Sequence, residues 1–65
     1  MNPWYVDGNK CWVELINGEY RPLLIDSNDC GHIGSGHETY AAALVDMVRI
    51  LYSVLRYGRV KENVA

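Results

Sequence analysis

The sequence has no Phe, and only two Cys, two Pro and two Trp among its 65 residues. Each shortage excludes something. Without Phe, a core must be built from aliphatic side chains with Tyr and Trp. Two Cys are too few for a disulfide scaffold, and the expectation is a reducing, cytoplasmic location. No stretch of 18 apolar residues free of charge occurs, so no membrane span and no membrane partner are expected. Met1-Asn2-Pro3-Trp4 carries no basic segment followed by an apolar one, so no signal peptide is expected. At this length there is room for one domain, 1–65. So short a chain buries only about 60% of its unfolded surface and leaves little for a walled pocket. The expectation is a protein that is not an enzyme and uses no cofactor.

What is present argues for a folded chain. Leu, Ile and Val number 17, above the fraction typical of disorder. Charge is uneven. Residues 1–38 hold Asp7, Glu14, Glu19, Asp26, Asp29 and Glu38 against Lys10 and Arg21. Residues 39–65 hold Asp46 and Glu62 against Arg49, Arg56, Arg59 and Lys61. The acidic front half disfavours a nucleic-acid reader built on it.

Trp4-Tyr5-Val6 has strong β-propensity and is followed by an Asp7-Gly8 turn signal. Its length is not fixed by sequence, so the first hairpin's register stays open. Cys11 to Ile16 reads as a second strand, closed by Asn17-Gly18, the strongest short hairpin signal. A two-residue turn pairs Ile16 with Glu19, Leu15 with Tyr20, Glu14 with Arg21, Val13 with Pro22 and Trp12 with Leu23. One face then carries Cys11, Val13, Leu15, Tyr20, Pro22 and Leu24. The other carries Trp12, Glu14, Ile16, Glu19, Arg21 and Leu23, with Glu14 opposite Arg21 as an expected ion pair. Pro22 cannot donate to a ladder, which predicts that strand 19–25 lies at an edge. Residues 26–35 read as a Gly-, Asn- and Asp-rich loop.

Ser35-Gly36-His37-Glu38 reads as a capping box that starts a helix over about 36–57. Gly58 is a good residue to end it, and 58–65 reads as a frayed tail. The predicted fold is α+β: a three-stranded antiparallel meander followed by one long helix.

That helix has more apolar surface than such a sheet covers. Ala41, Leu44, Val48, Leu51 and Leu55 form one stripe. Ala43, Met47, Ile50, Val54 and Tyr57 form a second, about 110° away. With one stripe covered by the sheet, Met47, Ile50, Val54 and Tyr57 are expected to bind a partner, most simply a second copy in an antiparallel helix pair; the alternative is that strand 4–6 and the loop at Ile33 fold over to cover that stripe. Trp12 falls on the face away from the helix and, with Glu14, is a second candidate contact.

Cys30, His32 and His37 are the candidates for a metal site, with Cys11 as a distant fourth ligand. No Cys-x₂₋₄-Cys pair accompanies them, so no metal is expected. Cys30 beside a His also suggests a nucleophile and base, but no third orienting group can be named. The glycines before the helix lack the Lys of a phosphate loop.

The β-β-β-α order is similar to that of AP2 and integrase arm-binding domains, which lay a three-stranded sheet in the DNA major groove. The resemblance is architectural: the strands here offer only Arg21, and a turn only Lys10. Length, acidity and lack of catalytic apparatus resemble small phage-encoded inhibitors, including anti-CRISPR proteins, which occupy a host protein's surface. The reading is a non-enzymatic interaction module, an inhibitor or adaptor acting by steric occlusion. Its expected partners are a second copy and a cellular protein with a basic or apolar surface. The alternatives are a dimeric nucleic-acid-binding regulator using Arg49, Arg56, Arg59 and Lys61, and a zinc-binding module.

Overall fold

The computed structural model describes residues 3–58. It holds four strands and one helix: β1 (Trp4–Val6), β2 (Asn9–Ile16), β3 (Glu19–Ile25), β4 (Gly31–Ile33) and α1 (Tyr40–Tyr57). The strands form one antiparallel sheet in the order β1-β2-β3-β4, a pure meander. Apart from Gly58, the expected tail lies outside the described residues, as do Arg59 and Lys61.

Two tight turns set the register. Asn17 and Gly18 both have positive φ (52° and 80°), and β2 pairs with β3 in the order that this turn dictates, from Ile16↔Glu19 to Lys10↔Ile25. Asp7 and Gly8 repeat the geometry (49° and 82°), which fixes the first hairpin as Val6↔Asn9, Tyr5↔Lys10 and Trp4↔Cys11. Positive φ at both central residues gives a turn whose twist matches that of the flanking strands.

The strand count differs from the sequence expectation. The segment 26–35 is not a single loop: Gly31–Ile33 forms β4, and β3 is an interior strand rather than an edge. Asp26 makes the connection compact. Its Oδ1 accepts from the Asn28 and Cys30 amides, at 2.9 Å each, and its own amide donates to the Cys30 carbonyl. A carboxylate that satisfies the backbone of its own turn is how Asp stabilises such bends. The Pro22 constraint acts one strand further out. Pro22 offers only its carbonyl, which accepts from the Gly34 amide at 2.8 Å. Beyond that point the chain detours, and it rejoins β3 where Tyr20 and His37 exchange backbone hydrogen bonds at 2.9 and 2.8 Å.

That exchange also moves the helix start. With His37 committed to the sheet, residues 36–38 cannot be helical. Thr39, not Ser35, is the N-cap: it is extended, and its hydroxyl accepts from the Ala42 amide at 3.1 Å. The other end is as expected. Gly58 is left-handed (φ 73°) and donates to the Val54 carbonyl at 2.8 Å.

The core lies between α1 and one sheet face. Cys11, Val13 and Leu24 from the sheet meet Ala43, Met47, Ile50 and Val54 from the helix. Tyr20 and Tyr40 close one side edge-to-face, with centroids 6.1 Å apart.

Candidate interaction surfaces

The structure reverses the expected roles of the two helix stripes. Met47, Ile50 and Val54 are buried against the sheet (6%, 1% and 7% exposed) and are not available to a partner. Tyr57, at the helix end, is about half exposed. The stripe left outside runs Ala41, Val45, Val48, Tyr52 and Leu55, with Leu44 and Leu51 half-buried beside it. Periodicity cannot choose between two apolar stripes; polar anchors at the helix start do. His37 is fixed to β3 through the Tyr20 backbone, and its Nε2 lies 3.0 Å from Asp46 Oδ2. Arg49 Nε donates to Asp46 Oδ1 at 2.9 Å. Gly34 locks the same junction. A β-carbon there would collide with Pro22 on the sheet and come within 2.9 Å of both Asp46 and Ile50 on the helix. Turning the helix to bury Val48 would break the Asp46 contact and this close approach.

The second surface is the sheet face away from α1. Strand alternation puts Trp12 there, as expected, together with Lys10, Glu14, Leu23, Ile25 and Ile33. Trp12, Leu23 and Ile33 stand side by side on β2, β3 and β4, forming an apolar row across the sheet. Gly31, opposite Ile25, adds no side chain, and a shallow cleft of about 260 Å³ opens among Trp12, Leu23, Ile25, Gly31 and Ile33. On its other side Trp12 borders a cleft of about 350 Å³ with Pro3, Lys10, Glu14 and Leu15. Trp4 lies on the helix side, paired with Cys11, so the two tryptophans occupy opposite faces.

Polar groups around the row are engaged within the chain. Trp12 Nε1 donates to Glu14 Oε1 at 3.3 Å, and Lys10 Nζ lies 5.2 Å from the Trp12 ring centroid. The expected Glu14–Arg21 ion pair is replaced. Arg21 sits 3.5 Å from Glu19 and donates to the Gly34 carbonyl at 3.2 Å.

The Cys and His residues are not brought together. His32 Nε2 lies 3.0 Å from Asp26 Oδ2, whereas His37 meets Asp46. Cys11 is buried and Cys30 is exposed, both as free thiols. Among the described residues no three His, Cys, Asp or Glu side chains are placed to share a metal ion. Burial pushes the Cys11 thiol up, away from the reactive thiolate. The His32 hydrogen bond, helped by the Cys30 amide, holds Asp26 below the ordinary carboxylate value. Burial raises Asp46, but the hydrogen bonds from His37 and Arg49 outweigh it, and the net direction is down.

Sequence reasoning missed Val45 and Tyr52, which lie on the flank of the first expected stripe away from the second, and Ile33, whose strand it did not foresee. No family model, no curated protein and no solved structure matches this chain.

Proposed function

We propose that the chain is a non-enzymatic protein-interaction module. It works as a stoichiometric inhibitor or adaptor, covering part of another protein's surface. The observation that supports this most is the row Trp12, Leu23 and Ile33 on the sheet face away from α1, with Ile33 exposed and Trp12 and Leu23 half-buried. The row sits on paired strands, so its side chains lose little freedom on docking. A Trp flanked by two clefts is the kind of anchor that dominates binding energy. The nearby charges are already satisfied locally, which suits an apolar partner surface with a polar margin. In the same reading the chain self-associates through α1, so that the sheet face stays free for the target.

Parallel capture on immobilised wild-type chain and on Trp12→Ala and Leu23→Lys variants tests the reading. Circular dichroism first establishes that both variants are folded. The expected result is a partner retained in stoichiometric amount by wild type and lost by both variants. Equal retention by all three counts against this face as the binding surface.

A further inference from the structure

We propose that the exposed stripe of α1 is closed by a second copy of the chain, in a two-fold antiparallel helix pair with Val48 on the axis. This rests on the reading of the chain as a self-associating module and names the face, orientation and centre.

The exposed residues Ala41, Val45, Val48, Tyr52 and Leu55 follow one another by four, three, four and three. That is the spacing of a helix-pairing seam rather than of scattered surface residues. Val45 and Val48 are 72% and 59% exposed, and no charged residue interrupts the seam. Its side chains grow along the helix, from Ala and Val at the start to Tyr and Leu at the end. An antiparallel pair centred on Val48 sets Val48 against itself, Ala41 against Leu55 and Val45 beside Tyr52, small against large on either side of the centre. Leu44 then flanks Leu51 of the second copy. A parallel pair would set Ala41 on Ala41 and Tyr52 on Tyr52, a gap followed by a clash. Antiparallel packing also brings the exposed Glu38, just before one helix, to the end of the other, where Arg56 stands. Acid near a helix start and base near a helix end thus complement each other across the pair. Arg49, which borders the seam, has its charge offset by Asp46.

Size sets the strength. Eighteen residues make a helix of about 27 Å. At a width of about 10 Å, that offers roughly 270 Å² of footprint per copy, below a standard interface even after allowing for side-chain relief. Two heptads are too few for a free coiled coil, but α1 is already folded and anchored through Ile50 and Met47. Pairing therefore need not order the helix. The expected dimer is concentration-dependent.

Light scattering with size exclusion over a wide concentration range tests this, read together with cross-linking. The expected mass rises from 7.4 kDa towards twice that value as concentration increases. Val48→Glu should hold the monomer mass at every concentration, with a melting curve that matches wild type in dilute, monomeric protein. In a Cys30→Ser background, Val48→Cys should cross-link to itself with a short bis-maleimide. Ala41→Cys and Leu55→Cys should cross-link only when mixed. A wild-type monomer up to roughly millimolar concentration, where even weak pairs form, overturns the proposal. So does a Val48→Glu dimer, or an Ala41→Cys variant that links to itself. Partner capture that depends on Trp12 is scored on Val48→Glu separately. Retained capture with no dimer refutes only this pairing; a dimer without Trp12-dependent capture refutes only the target-binding reading.

Discussion

His37 and Asp46 meet at 3.0 Å across the junction between sheet and helix, and that contact fixes which side of α1 is buried. His37 is held to β3 by two backbone hydrogen bonds, and Asp46 is held also by Arg49. The pair therefore couples helix phase to strand position.

Asp46→Asn is expected to destabilise the fold by about 1.5–3 kcal/mol at neutral pH, the range for hydrogen bonds to a charged group. The folded-state pKa of Asp46 lies below the ordinary 3.8. On acidification the unfolded chain therefore takes up the proton first. The stabilisation is complete above that ordinary value and is lost as pH falls through the lower folded value. Urea midpoints from pH 7 down to pH 2 should show a steeper acid decline for wild type than for Asp46→Asn, with the two curves converging at the acid end. Parallel curves would detach Asp46 from acid stability. Asp26 is shifted in the same direction and contributes to the same decline.

The reversal of the helix stripes is open to a direct comparison. Ile50→Ala should cost about 2–5 kcal/mol, because it empties a buried site. Val48→Ala should fall within about 0.5 kcal/mol in dilute, monomeric protein. Met47→Glu should not fold, whereas Val48→Glu should. Equal effects at positions 48 and 50 in thermal melts would mean that the helix is turned differently.

Two glycines of the same short segment should behave oppositely. Gly34→Ala forces its β-carbon into Pro22 and crowds Ile50, and a loss of about 1–3 kcal/mol is expected. Gly31→Ala meets nothing within 4 Å and should be close to neutral. Denaturant midpoints of the two variants decide it. A benign Gly34→Ala would place the helix further from the sheet.

Thiol labelling separates the cysteines. One thiol per chain, Cys30, should react promptly under native conditions, and Cys11 only after unfolding. Rapid labelling of two thiols in the folded protein would contradict the packing of β2 against α1.

Much of the sheet is legible in the chain because short-range chemistry determines it. Asn17-Gly18 admits one economical turn, and the β2–β3 register follows residue by residue. Gly58 marks the helix end for the same local reason. The helix phase is not legible in this way. Ala43, Met47, Ile50 and Val54 are no more apolar than Ala41, Val48, Leu51 and Leu55, and the deciding contacts come from distant residues, His37 and Gly34. The helix start is not legible because Ser35 and Thr39 are both good caps; only the pairing of His37 with Tyr20 excludes the first. β4 has three residues, one of them Gly31, too short to carry a strand pattern. The face that Trp12 occupies is legible because it depends on register alone. Its neighbour Ile33 is not, because it belongs to β4.

The meander has a kinetic consequence. Each strand pairs with the one that follows it in sequence, and the three links between strands are short. Closing such small loops costs little entropy, so the search for native pairings stays local. Chains of low contact order fold quickly. The registers of the two hairpins with left-handed turns are set by their own turn residues. Refolding should therefore be fast.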